Sequence, residues 1–287
     1  MKFHAICVVV LLLVGCAQPR PESAGRSLEG FTADARSAMP GPIRLREPLT
    51  YAQESLIEVS GDVGGTPGSV GQSPQLSMAS RSEKFFWPGN QISAELKIEQ
   101  LRIESPAIPL TAEEREILRQ ATFHARIEWD ADCKNPVVGY VRVASGSASD
   151  DLPKFRSYIE VVEADSIACL ANGAAVGTRV PLPVGPFFTG REFDSVRDRI
   201  SGTAIVRVTA VGTYAGRDAV SIDIDGDAKV PLERAALSGN YRATFVFDAR
   251  SGVIMGADVG YALGGRDTNG KPVALASKYR TKTLSVR

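Results

Sequence analysis

The sequence predicts a mainly β protein, of α+β type, made of antiparallel sheets with two short helices. Three observations carry that expectation. Apolar and polar residues alternate with a period of two over long stretches, as in strands with one buried face. Turn chemistry punctuates those stretches, as at Asp248-Ala249-Arg250-Ser251-Gly252. Helical spacing is confined to two places. The 287 residues suit one large domain or two small ones, and 44% hydrophobic with 23% charged residues is a globular composition.

The chain opens with a basic Met1-Lys2 and an apolar run from Ala5 to Val14. That run is shorter than the roughly 20 residues a membrane-spanning helix needs, and it fits the apolar core of a signal peptide. It ends Leu13-Val14-Gly15-Cys16, which resembles the lipobox of bacterial lipoproteins. The resemblance implies cleavage before Cys16, a diacylglyceryl group on its thiol and acylation of the new amine. Two or three acyl chains give stable attachment where one gives only a marginal anchor. Residues 1–15 are then the signal peptide. Ala17, in place of an aspartate, implies by the same resemblance an outer-membrane lipid anchor with the protein facing the periplasm. Residues 16–41 follow as a lipidated tether rich in Pro, Ser, Gly and Ala, read as flexible.

Residues 42–145 read as a first β half. Ile92, Ala94, Leu96 and Ile98 alternate with Ser93, Glu95, Lys97 and Glu99. The phase slips at Gln100 and Leu101 and Ile103 resume the apolar face, which predicts a β-bulge. Thr111-Ala112-Glu113-Glu114 is a capping box opening a helix to about Ala121. Residues 146–180 read as a helical connector, with Leu152, Phe155, Ile159 and Val162 at helical spacing and Asn172-Gly173 as the stop.

Residues 181–287 read as a second β half. Val220, Ile222 and Ile224 alternate with Ser221, Asp223 and Asp225; Tyr241, Ala243, Phe245 and Phe247 form a further strand, with Val253 to Leu263 as its partner. Val273 to Val286 is a last strand whose Lys278, Arg280 and Lys282 suit a protected sheet edge. A functional basic stripe is the alternative there. The halves echo each other. Residues 107–131 and 229–249 share an aliphatic-Pro-Leu start, a Glu-Arg followed by Leu, and an aromatic-led strand ending Asp-Ala. Phe86-Trp87-Pro88-Gly89 matches Thr213-Tyr214-Ala215-Gly216 as a hairpin turn. The echo predicts two related β halves, each with a short helix before its third strand. Chance likeness between β meanders is the competing reading. The second half also looks like uncharacterised β-rich periplasmic lipoproteins, a class with no shared activity to carry over.

The chemistry-bearing residues are few. Lys+Arg and Asp+Glu number 33 each, a balance that argues against a nucleic-acid partner. His4 and His124 are the only histidines. His124 sits on a charged strand face with Arg126, Glu128 and Asp130, where a solvated face explains it better than catalysis. Cys133 and Cys169 remain after Cys16 is lipidated, and an oxidising compartment predicts a disulfide between them, stabilising by about 3–4 kcal/mol on the chain-entropy argument. Asp223-Ile224-Asp225-Gly226-Asp227 superficially resembles a calcium loop, but Ala228 and Arg234 stand where glycine and glutamate are needed. A hairpin-end carboxylate cluster binding Ca²⁺ weakly is the residual form of that idea. No metal, cofactor or catalytic residue is therefore expected. Phe85-Phe86-Trp87-Pro88-Gly89 is the densest aromatic cluster, and Phe86 and Trp87 at a hairpin tip are candidates for partner contact. Phe187-Phe188 reads as core.

The expected function is a membrane-anchored, non-enzymatic periplasmic module binding an envelope partner protein or an apolar ligand. A structural envelope component and an envelope hydrolase using carboxylates are the alternatives.

Overall fold

A computed structural model of the chain describes residues 27–38, 49–61, 75–87, 91–104, 111–113, 116, 122–128, 140–145, 174–188, 193, 195–250, 252 and 254–287. The long alternating stretches form long strands. In chain order they are β1 (Thr32–Ala33), β2 (Leu49–Gly61), β3 (Gln75–Trp87), β4 (Gln91–Glu104), β5 (Thr122–Glu128) and β6 (Tyr140–Ser145). There follow β7 (Arg179–Pro183), β8 (Thr203–Tyr214), β9 (Arg217–Leu232), β10 (Ala235–Asp248), β11 (Ile254–Asp267) and β12 (Pro272–Val286). Two single 3-10 turns, Gly185–Phe187 and Arg197–Arg199, precede β8. The fold is mainly β, as the periodicity predicts.

All strands join one antiparallel sheet in the order β1-β8-β9-β10-β11-β12-β2-β3-β4-β5-β6, and β7 also pairs with β8. β7 and β1 take successive stretches of the same β8 edge, Thr203 to Arg207 and Gly212 to Thr213. The two stretches predicted as separate halves are thus joined laterally by β12, which pairs with β11 on one side and β2 on the other. β12 is an interior strand, so the edge-protection reading of Lys278, Arg280 and Lys282 is overturned. Their side chains instead face carboxylate-bearing neighbours, described below. The echo aligns β5 with β10 and the β3–β4 connection with the β8–β9 hairpin. In the sheet β12 lies between the antiparallel runs β7 to β11 and β2 to β6.

Local chemistry explains the connections. Ser82 pairs with Ile98 and Arg81 with Gln100, leaving Glu99 as the extra residue of the expected bulge. Tyr214 and Arg217 close a two-residue hairpin through Ala215 (φ 48°) and Gly216 (φ 77°), the left-handed pair of a type I′ turn. Ala112, Glu113 and Glu116 are helical where the capping box predicts a helix. The counterpart helix expected near Glu233 does not form. Leu232 pairs with Ala235 across a two-residue turn at Glu233-Arg234. This tight hairpin keeps Val230 opposite Leu237, both buried, where a helical turn would draw Leu237 out of the core. The helix expected at 152–170, the signal peptide with Cys16, and Cys133 and Cys169 lie outside the described residues.

One face of β8 to β12 carries the main core: Val206, Ile222, Ile224, Phe245 and Leu263 are all buried in it. Val184, Phe188, Phe193, Val196 and Ile200 lie over this face. Phe188 and Phe193 are fully buried, their rings 5.0 Å apart edge to face. Phe188 also meets Tyr241 at 5.7 Å and Tyr261 at 5.4 Å, as expected of a core residue. On the opposite face Tyr214, Ala219, Val246 and Met255 form a second cluster beneath Leu28 and Phe31. Residues 27–38 fall within the expected flexible tether 16–41, yet they dock here. Two apolar anchors, a two-residue strand, the Arg36 contacts and a bridge from Ala38 to Ala175 seat them.

Candidate functional site

The register of the sheet decides which residues share a lateral row. One row on the core side runs Val206, Ile224, Ala243, Val259, Tyr279, Ile57, Met78, Ile103, crossing eight strands from β8 to β4 without a polar residue. Over β8 to β12, cross-strand neighbours about 5 Å apart make this row one continuous apolar strip. From β8 to β12 it belongs to the filled core under residues 184–200. It then continues across β2, β3 and β4. A parallel row carries Tyr241, Tyr261, Ser277, Val59 and Leu76.

An uncharged polar island interrupts this side where β12 meets β2. Thr281 and Ser55 are paired in register, as are Thr283 and Gln53. Ser55 Oγ donates to Thr281 Oγ1 at 3.0 Å. Thr283 Oγ1 donates to the Met255 carbonyl. Gln53 is fully buried; its Nε2 donates to the Ile254 carbonyl at 3.0 Å and to Thr283 Oγ1 at 3.1 Å. Those acceptors fix the amide orientation, because a flipped amide would set its oxygen against a carbonyl. Gln53 Oε1 is buried without a donor among the described residues. The register extends the island to Ser80 and Ser82 of β3.

The other side of the sheet is a charge ladder. Arg207, Asp223, Thr244, Asp258 and Arg280 occupy one row. Thr244 Oγ1 donates to buried Asp223 Oδ1 at 2.7 Å, and Arg280 Nε reaches Asp258 Oδ2 at 3.3 Å. Lys278 and Lys282 lie opposite Glu58 and Glu54, and Lys282 Nζ is 3.6 Å from Glu29. Such exposed pairs contribute little stability individually, but they match β12 to its neighbours and neutralise the basic stripe locally. Nearby, burial pushes the Tyr214 phenol above its ordinary range. A hydrogen bond from Arg36 holds the Asp34 carboxyl below its own.

The sequence-derived candidates fall at separate places. Phe86 and Trp87 end β3, paired with Ala94 and Ser93. His124 stands in β5 between Glu95 of β4 and Arg142 of β6, in a row of charged residues. Asp223 to Asp227 lie in mid-strand β9, so the hairpin-end carboxylate cluster is corrected. The three carboxylates share one face but are spaced two residues apart along an extended strand, roughly 6–7 Å from one to the next. Asp223 turns to its cross-strand partner Thr244, and Asp225 toward Arg242 at 3.9 Å. Among the described residues there is no grouping of three His, Cys, Asp or Glu fit to hold a metal. Nor is any helix long and apolar enough to cross a membrane. Sequence reading missed Gln53 and the threonines opposite it. Their signal was two buried-phase polar residues on strands that become neighbours only through β12–β2 pairing.

No protein-family model matches the chain, and no curated protein matches it. A solved structure of lipovitellin, described as showing lipid–protein interactions, is similar with a TM-score of 0.45 and 14% identity over 84% of this chain. The match takes in 26% of the lipovitellin chain, so this chain spans about a quarter of that protein's length.

Proposed function

We propose that this chain is a non-enzymatic, lipid-anchored module of the bacterial envelope that holds an apolar ligand with an uncharged hydrogen-bonding head. The observation that carries this reading is the eight-strand apolar row, which continues past the filled core onto β2, β3 and β4. Contiguous apolar surface gains roughly 25 cal/mol for each Å² taken from water, so a strip of this length suits an acyl chain or another long apolar body. The polar island beside it supplies a complementary feature: the half-buried Ser55 hydroxyl would exchange a hydrogen bond with a hydroxyl or amide head. Described carboxylates of the other face, such as Asp223, Asp225 and Asp258, are engaged in cross-strand bonds, which suits a scaffold better than a hydrolase.

The lipobox-like Leu13-Val14-Gly15-Cys16 supports attachment to a membrane, with the outer membrane favoured by Ala17. With residues 27–38 docked, only residues 17–26 separate Cys16 from the folded sheet, a root-mean-square span of roughly 16–19 Å for a flexible chain.

The test is organic extraction of the full chain purified from a bacterial envelope, followed by mass spectrometry of what is released. The covalent anchor stays with the protein, so released lipid reports the non-covalent site. The reading expects one class of amphipathic lipid near equimolar yield, sharply reduced by Ile57→Glu. A lipid profile identical in the two proteins refutes it. Photocrosslinking from Trp87 in intact cells asks in parallel for a protein partner. Metabolic labelling with a radioactive fatty acid, lost in Cys16→Ser, tests the anchor.

A further inference from the structure

The seat beneath residues 27–38 is built more specifically than a passing contact requires. Leu28 and Phe31 pack on Tyr214, Val246 and Met255, which are buried to 4%, 0% and 1% exposure. Gly30, at φ 89°, turns the chain between the two anchors. Thr32 and Ala33 then extend the edge of β8 opposite Thr213 and Gly212. The Asp34 amide donates to the Val211 carbonyl at 2.9 Å. Arg36 Nη2 donates to the Gly212 carbonyl and to Asp218 Oδ1, both at 3.1 Å. Gly212 is the key to the seat. A Cβ there would stand 2.0 Å from the Thr32 carbonyl oxygen and 2.8 Å from Ala33 Cα, all strap atoms. The sheet carries bare backbone where the strap crosses it.

The strap itself is held thinly. Its ladder to β8 is two exposed residues long, and beyond it one bridge pairs Ala38 with Ala175, the Val176 amide donating to the Ser37 carbonyl at 2.7 Å. Its Glu29–Lys282 ion pair is open to solvent and contributes little, so the half-buried Arg36–Asp218 pair is its main charged contact. Residues 39–48, ten in all, lie between it and β2, a reach of up to about 33–36 Å when extended. A dry apolar seat, the stretch of β8 edge that the strap covers and a charged terminal clamp are the parts of recognition by strand addition.

We propose that this seat is a binding site for an extended segment of the form Leu-x-x-Phe-x-x-Asp-x-Arg, filled here by residues 28–36 of the same chain and exchangeable with the same segment of a second copy. The complementarity shown within one chain is available unchanged between two, since the second copy brings identical groups. The proposal does not depend on the ligand reading above.

The probe is a fluorescein-labelled peptide of residues 27–38, titrated by anisotropy against the purified full chain. Phe31→Asp with Arg36→Glu disables the chain's own strap. That double variant is expected to bind the peptide saturably. The unaltered chain is expected to bind at least about tenfold more weakly, because its tethered strap competes at an effective concentration on the order of millimolar. Adding Gly212→Ala to the double variant abolishes binding. Adding Asp218→Lys instead weakens it, which keeps the test sound if the first change disturbs β8. A Gly212→Ala chain with its strap intact, mixed with the double variant, sediments as a one-to-one dimer, while each alone is a monomer. No binding to the double variant, equal binding to the unaltered chain, binding that survives both seat variants, or no mixed dimer overturns the proposal.

Discussion

Truncating Phe188 to alanine tests whether residues 184–200 are an integral layer of the core. The Phe188 ring is fully buried and sits within 6 Å of Phe193, Tyr241 and Tyr261. Phe→Ala at such a site loses the transfer free energy of the ring and leaves a cavity that rigid neighbours fill poorly, a cost of about 3–5 kcal/mol. Edge-to-face partners add to the loss beyond area alone. With a urea slope of about 2–3 kcal/mol per molar, the midpoint should fall by about 1–2 M at unchanged slope. Phe187→Ala is the internal comparison. Phe187 stacks on Tyr241 at 5.5 Å but is only partly buried, so its truncation should cost roughly half as much or less. Urea unfolding followed by tyrosine and tryptophan fluorescence reads both. A loss below about 1 kcal/mol for Phe188→Ala, or equal losses for the pair, would refute the packing argument.

Three further outcomes are expected. Ala215 holds φ 48° at an exposed turn position, and Ala215→Asn should stabilise by about 0.5–1 kcal/mol, read as a higher midpoint, because asparagine tolerates that region better. Thr244→Val removes a hydroxyl donor from buried Asp223 and should cost about 1–3 kcal/mol by thermal melting, with Thr244→Ser recovering part of it. Burial raises the Tyr214 phenol, so the folded state holds that proton more tightly than the unfolded chain. The resulting stability is present below the ordinary tyrosine range near pH 10 and is lost as pH rises through the raised folded value. Tyr214→Phe should therefore flatten the alkaline fall in melting temperature.

Much of the fold was legible in local pattern. The alternation around Ile92 to Ile103 located β4 and its bulge at Glu99. Val220, Ile222 and Ile224, and Tyr241, Ala243, Phe245 and Phe247, are buried as their alternation implies, but Ser221, Asp223, Thr244 and Val246 between them are buried too, which alternation did not show. Phe188 belonged to the core as its apolar character implied. A period of two tells which residues share a face, and a strand cannot satisfy water and core on the same side.

Period says nothing about which strand lies alongside. Lys278, Arg280 and Lys282 looked like edge protection because charges on one strand read the same whether solvent or Glu54, Glu58 and Asp258 lies beside them. Only the pairing of β12 with β2, two segments more than 200 residues apart in the chain, made that strand interior. The same pairing set Gln53 against Thr283 and carried the apolar row onto Ile57, Met78 and Ile103. The strap was hidden for a related reason. Residues 27–38 hold two apolar anchors in a sequence of linker composition, and their order comes from the seat at Gly212, Tyr214 and Met255. The sequence by itself determined the faces of the strands. Tertiary structure decided their neighbours, because lateral hydrogen bonds are made by backbone common to every residue and the choice among partners rests on contacts summed over the whole sheet.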